Sequence, residues 1–328
     1  MIRRALLVTV ALSMSVLALP GGPARATSRI EGVPAFGNVF VLVGENTTLS
    51  QLTTKDAPYQ TSWVRQHSAW FTNYWGISHY STSNYIAMTS GQFIKCEQLD
   101  EKPATCNQDV PNIFQQLDTA GTSWTAWNES MPEPCYLINS GENRFGNSYR
   151  VKHNPAVYYE SIAGPDFSGA VGSGSCLTHV LPMGGTGVND TTAFNAMLDS
   201  GSVPRFNYVA PNMCEDGHDN CKPQGNPIRQ FDDFLAREVP QIMASPAWNA
   251  SSVIVIVYDE GQDGGPGKAV KFAGGNVPFA VIGGQVHNAV YTGLFNHYSM
   301  LRTLEDGLAL PGHVGAASTA TTLGHIWK

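Results

Sequence analysis

The stretch "SSVIVIVYDE", residues 251–260, decides the fold. From Val253 to Tyr258 every residue is apolar and nearly all are β-branched, a run too short for a buried helix and right for a strand. It is apolar on both faces, so the sheet that holds it must be covered on both sides, the mark of parallel strands in an α/β fold. Three more segments extend the pattern: "NVFVLV" (38–43), "NYIAM" (84–88), which reads as a strand or a helix start, and "VPFAVIGG" (277–284). Helical patterns lie between and after them. "NIFQQLDTAG" (112–121) ends in a stop glycine. "IRQFDDFLAREVPQIMAS" (228–245) has apolar residues at three-to-four spacing, with Pro240 expected to kink or divide it. "HYSMLRTLEDGL" (297–308) follows Asn296, an N-cap type, and is expected to stop at Gly307. The expected architecture is a central, mostly parallel sheet with helices on both faces.

Polar residues cluster where these segments end. The first strand runs into Glu45-Asn46, the 253–258 strand into Asp259-Glu260, and the 84–88 segment into Thr89-Ser90. Open α/β sheets bind ligands outside the carboxyl ends of their strands. Carboxylates that converge there repel one another unless a cation sits among them. Oxygen ligands suit Mg²⁺, Ca²⁺ or Mn²⁺, and Zn²⁺ accepts carboxylates too, so a divalent cation of unspecified identity is expected. Four histidines have suggestive settings: His79 before the hydroxyl turn, His153 before a proline, His218 between Asp216 and Asp219, and His297 opening the last helix.

The bulk properties narrow the class. The 328 residues carry a net charge of −7 without a long basic run, which argues against a nucleic-acid partner. Arg3 and Arg4, the apolar run after them and "ARA" at 24–26 make residues 1–26 a secretory signal peptide, leaving 27–328 as a single domain. No later stretch is apolar enough for a stable membrane anchor. Six cysteines in an exported chain favour three disulfides. Sequence proximity favours Cys96–Cys106 and Cys214–Cys221, leaving Cys135–Cys176, although about 15 pairings are open to six cysteines.

Six ordered blocks, "VFVLVGEN", "SHYSTSNYIAMTSG", "KHNPAVYY", "FNYVAPNMCEDGHD", "VIVIVYDEG" and "HYSMLRTLEDGLAL", run across nearly the whole mature chain. Together they resemble the bacterial phosphoesterase family of secreted acid phosphatases and non-specific phospholipases C, within the alkaline-phosphatase superfamily. The resemblance implies that Ser90, before Gly91, is the nucleophile, with Thr89 as fallback. It implies that Glu45, Asn46, Asp259 and Glu260 hold the metal together with Ser90, that His79, His153 and His218 surround the phosphoryl group, and that His297 and Asp306 support from behind. The family's first block commonly reads Glu-Asn-His-Ser; here Thr47 and Thr48 follow Asn46, and Ser83 stands where a proline is common.

The function these readings imply is a secreted, metal-dependent phosphomonoesterase that works through a phosphoserine and is most active below neutral pH. Its substrate would be a phosphate ester, extending to a phospholipid or phosphoinositide. The alternatives are a phospholipase C-type phosphodiesterase and a secreted metal-binding protein without turnover. The diesterase would favour an apolar rim, and "WVRQHSAWFTNYWG" (63–76) is either such a rim or packed core.

Overall fold

The computed structural model describes residues 29–93, 96, 99–142, 146–263 and 273–328; the expected signal peptide lies outside them. Among these residues the strands are β1 (Val39–Gly44), β2 (Ala69–Phe71), β3 (Tyr74–Trp75), β4 (Trp124–Asn128), β5 (Val180–Pro182), β6 (Phe206–Ala210), β7 (Val253–Tyr258), β8 (Phe279–Gly283), β9 (Ala289–Tyr291) and β10 (Phe295–Asn296). Eight form one sheet in the order β5-β4-β6-β1-β7-β8-β2-β9, while β3 and β10 make a small parallel ribbon. From β5 to β7 all neighbours are parallel. At β8 the direction reverses against β7, and it reverses again at β2.

Every residue of β1 and β7 is buried, as their two-faced apolar sequence requires. β8 has the same composition and is antiparallel. What the apolar run reports is therefore cover on both faces; direction does not follow from it.

The helix expectations hold with small shifts. Ile113–Thr119 is capped by Asn112, whose side chain accepts from the Gln115 amide. Pro227–Ala244 is one helix that continues through Pro240 and is not divided there. His297–Leu308 is capped by Asn296 and passes Gly307, ending at Ala309 in a left-handed conformation. All three disulfides pair as sequence proximity favoured.

The "NYIAM" segment belongs to a helix, Ser81–Ser90, buried along its whole length. Gly91 closes it with φ +65°, a conformation that costs glycine nothing. A side chain at Gly91 would also meet the backbone of Val314 and Ala316. Thr89 and Ser90 thus terminate a helix and do not end a strand. In the aromatic stretch at 63–76, Trp70, Phe71 and Tyr74 are core, while Trp63 and Trp75 are half-buried and Trp63 stacks on Tyr59 and His67.

Candidate active site

Sheet register assembles the first part of the site. β1 and β7 run parallel with Gly44 opposite Tyr258, so Glu45 and Asp259 leave the sheet side by side. The Asp259 amide donates to the Gly44 carbonyl at 3.0 Å, and the Asn46 amide donates to Asp259 Oδ1 at 3.1 Å. Asn46 takes φ +49°, which lets the chain double back over the carboxylate. β6 lies on the other side of β1, and the loop after it brings Asp216 in: the Glu45 amide donates to the Asp216 carbonyl at 2.8 Å.

The second part comes from the start of the Ser81–Ser90 helix. Asn84 reaches back one turn, accepting from the Ile77 and Ser78 amides and donating to the Ser78 and Tyr80 carbonyls. That clamp fixes the turn entering the helix and sets the hydroxyl of Ser81 against β1: Ser81 Oγ donates to Glu45 Oε2 at 3.0 Å. Lys152 Nζ stands 3.5 Å from the same hydroxyl, 3.1 Å from Asp100 Oδ2 and 3.3 Å from His218 Nε2. Asp100 in turn accepts from the Thr82 amide at the helix N-terminus, where the backbone dipole favours negative charge.

His153 sits at the centre, stacked on Tyr85 with ring centroids 5.2 Å apart. Its Nε2 is 3.2 Å from Glu45 Oε1 and its Nδ1 is 2.9 Å from Asp216 Oδ2. Glu45 Oε1, His153 Nε2, Asp216 Oδ2 and Asp259 Oδ2 are all buried, and among the described residues none has a partner in hydrogen-bond geometry. Ligand atoms of Glu45, His153 and His218 lie within 4.8 Å of one another. A carboxylate and two imidazoles this close together, two of the three buried, fit a metal ion.

The electrostatics agree. Burial, followed by the Asp259 and Asp216 charges, pushes the Glu45 carboxyl well above the usual carboxylate range. Burial and then Glu260 raise Asp259 to about 8. Burial raises Asp216 as well, and holds His153 well below the ordinary imidazole value, with the charges of Lys152 and His218 adding to this. Burial opposes the charge on Lys152, yet Glu45 and Asp100 outweigh it and the amine is held above its usual value. Three buried carboxylates around one lysine demand protons or another cation.

At the mouth, Glu260 Oε2 accepts from His79 Nδ1 at 2.8 Å and from the Tyr80 amide at 3.1 Å, and its hydrogen bond raises the His79 pKa. His218 Nδ1 contacts Asp219 Oδ1 at 2.6 Å. His297 lies beneath: its Nε2 donates to the Asp259 carbonyl at 2.6 Å, Tyr74 hydroxyl donates to its Nδ1, and burial pushes its pKa down to about 4, so the ring is neutral. A side chain at Gly76 would meet that same Asp259 carbonyl at 2.8 Å, so only glycine lets the strand approach it. Asp306 pairs with His313 at 2.8 Å and packs the last helix, away from these groups.

The structure thus brings together Glu45, Asn46, His79, His153, His218, Asp259 and Glu260, and it does not bring Ser90 with them. Ser90 is fully buried at the opposite end of the helix, its Oγ donating to the Ile86 carbonyl at 2.9 Å. Thr89 is likewise buried, bonded to the Tyr85 carbonyl and in contact with the Tyr159 hydroxyl. Neither hydroxyl is available to a metal or a substrate. Sequence reading passed over Ser81, Lys152 and Asp100, and it placed Asp216 beside His218 when its carboxylate reaches His153. The signal for Ser81 was present: Ser81-Thr82-Ser83-Asn84 before an apolar run is the composition of a helix start.

The site opens to a cavity of about 510 Å³ whose walls include His79, Tyr80, Asp100, Lys152 and Gln262. Among the described residues no helix is long and apolar enough to cross a membrane.

The chain is similar to several known proteins. A probable acid phosphatase of Kluyveromyces lactis is 25% identical over 89% of this chain and 62% of its own. A phosphate-repressible acid phosphatase of Penicillium chrysogenum is 26% identical over 90% of this chain and 63% of its own. The chain therefore spans about three fifths of the length of these relatives. A phosphatidylinositol-3-phosphatase of Mycobacterium tuberculosis is 25% identical over 99% of this chain and 94% of its own. The fold is similar to that of a protein in the alkaline phosphatase superfamily from Vibrio parahaemolyticus, with a TM-score of 0.58 at 13% identity over 87% of this chain and 68% of that one. It is also similar to the lipoteichoic acid synthase LtaP of Listeria monocytogenes, with a TM-score of 0.53 at 11% identity over 85% and 74%. The Phosphoesterase family model matches residues 31–311, and the chain belongs to that family.

Proposed function

We propose that this protein is a secreted phosphomonoesterase of the acid-phosphatase type and that Ser81, in place of the expected Ser90, is its nucleophile. The observation that carries the reading is the position of Ser81 Oγ, hydrogen-bonded to Glu45 and 3.5 Å from Lys152 at the N-terminus of a ten-residue helix.

Attack by Ser81 Oγ on phosphorus forms a serine O–P bond and breaks the ester O–P bond. The hydroxyl proton passes to Glu45 Oε2, which already accepts it. Lys152 Nζ and the helix N-terminus hold the non-bridging oxygens, where charge concentrates. The leaving alkoxide takes a proton from the His79 imidazolium at the mouth, whose pKa the Glu260 hydrogen bond raises. Water then attacks phosphorus and gives its proton to the imidazole left neutral by the first step; the serine O–P bond breaks, Ser81 Oγ takes back the proton held on Glu45, and phosphate is released. A metal ion held by Glu45, Asp259, His153 and His218, with Asn46, Asp216 and Glu260 beside them, would supply positive charge for the phosphoryl oxygens and the serine oxygen. Imidazole among the donors favours Zn²⁺ or Mn²⁺ over Mg²⁺ or Ca²⁺.

Two features favour a monoester over a lipid diester. Among the described residues the cavity walls carry no Val, Ile, Leu, Met or Phe side chain, and Trp70, Phe71 and Tyr74 of the aromatic stretch lie in the core. The relative named as a phosphatidylinositol-3-phosphatase supports a phosphoinositide among the substrates. Three disulfides and the expected signal peptide support export. The test is hydrolysis of p-nitrophenyl phosphate beside bis-p-nitrophenyl phosphate by metal-loaded protein. Turnover of the monoester is expected; faster turnover of the diester would favour the phospholipase C reading, and turnover of neither would leave a metal-binding protein.

A further inference from the structure

Tyr80 is the strangest residue of the site. Its backbone lies at φ 89°, ψ 116°, a region that residues with a side chain rarely enter. Such a conformation is strained and persists only where the surroundings hold it. Here they do: Glu260 takes the Tyr80 amide and Asn84 takes its carbonyl. The clamp serves Ser81, the next residue, by aiming its hydroxyl at Glu45. A glycine would follow the same path with less strain. The phenol ring is not explained by the clamp, and it repays little of the strain through burial, because Tyr80 remains 49% exposed.

Tyr80 is one of the residues that line the cavity, directly before the proposed nucleophile in the chain. Apart from the two imidazoles it is the one aromatic face on those walls among the described residues; Asn46, Asp100, Lys152, Glu260 and Gln262 offer hydrogen-bonding groups instead. Among the described residues no Val, Ile, Leu, Met or Phe side chain lines the cavity. One exposed aromatic face surrounded by amides and charges is the arrangement that receives a hydroxylated ring, whose C–H face lies on the aromatic and whose hydroxyls reach the polar rim.

We propose that Tyr80 is a specificity-determining residue that selects leaving groups built on a hydroxyl-bearing ring, a cyclitol or sugar, over open-chain polyols of the same polarity. The proposal rests on the phosphomonoesterase reading with Ser81 as nucleophile. It deepens that reading by assigning the leaving-group side of the cavity.

The test compares myo-inositol 1-phosphate with glycerol 3-phosphate, using metal-loaded protein. In wild type the inositol ester is expected to have the higher kcat/KM. In Tyr80→Leu the ratio of the two kcat/KM values should fall roughly five- to tenfold, about the worth of one ring contact, and Tyr80→Phe should keep it. The same two esters are then titrated calorimetrically into Ser81→Ala and Ser81→Ala/Tyr80→Leu proteins, where turnover is not needed. The Kd ratio should fall by the same factor. A ratio unmoved by Tyr80→Leu in both measurements overturns the proposal, and a Tyr80→Leu protein whose melting temperature drops by several degrees assigns the ring a structural role. If wild type hydrolyses neither ester, the phosphatase reading fails by itself, and the Kd ratio still decides whether Tyr80 selects a ring.

Discussion

The two ends of one helix teach how differently the same hydroxyl can be used. At the N-terminus of Ser81–Ser90, Ser81 points its hydroxyl at a carboxylate, beside a lysine, on the wall of a large cavity. At the C-terminus, Ser90 returns its hydroxyl to the Ile86 carbonyl inside its own helix, and Gly91 locks the turn against Val314–Ala316. Both residues are serines at helix boundaries and both are buried. What separates them is the backbone polarity: free amides and positive potential at one end, carbonyls and negative potential at the other. An incoming phosphate dianion is attracted only to the first.

Breaking the first end should have the largest effect. Ser81→Ala is expected to lower kcat by on the order of a thousandfold or more, since the covalent step has no substitute, while circular dichroism stays native. An alanine variant with near-normal turnover would remove Ser81 from the mechanism. Next in size are the groups that charge the site. Glu45→Gln and Asp259→Asn should each cost about a hundredfold and lower the metal content measured by elemental analysis, and exhaustive chelation should reproduce them. Lys152→Ala comes third, at roughly ten- to a hundredfold in kcat/KM, with rescue by arginine incomplete because its fork does not fit a point-charge site.

The second end should answer in stability. Glu305 accepts from the Val314 amide, in the turn that packs on Gly91. Burial raises its pKa to about 8, above its value in the unfolded chain. A raised carboxyl pKa means the folded state holds a proton that the unfolded state releases first. Stability from this group is therefore present in acid and lost as pH rises toward 8. Thermal melts across that range should show the decline, and Glu305→Gln should flatten it without shifting the pH profile of turnover. Ser90→Ala is the smallest change: activity within about twofold and roughly 1 kcal/mol of stability in denaturant titrations, because the Ile86 carbonyl keeps its helical partner. A loss of activity there matching Ser81→Ala would erase the contrast between the ends.

The contrast also shows what the sequence made legible. The long apolar runs at 39–44 and 253–258 and their acidic ends were plain, because a strand covered on both faces has little choice of residue. Short strands such as Val180–Pro182 and Trp124–Asn128 carry no such run and emerge only from pairing with neighbours. "NYIAM" was open between strand and helix start because a fully buried helix and a buried strand share one composition, and only the structure shows that Ser90 ends the helix facing its own backbone. Lys152 and Asp100 were silent for another reason. A lysine beside a histidine and an aspartate in a disulfide loop are ordinary in sequence, and only the tertiary fold brings them to Ser81.

The place of β1 has a consequence for how the molecule comes into being. It is the first strand in the chain, yet it lies mid-sheet, with Val39 opposite Phe206 on one side and Val253 on the other. Neither neighbour exists until most of the polypeptide has been made. Until then "VFVLVG" is a bare, uncharged template for pairing with other chains. Closing such distant loops before any sheet contact rewards them makes for slow folding with high contact order. Glu45 and Asp259 stand side by side only once β1 has paired with β7, so the site forms with the sheet and not before it.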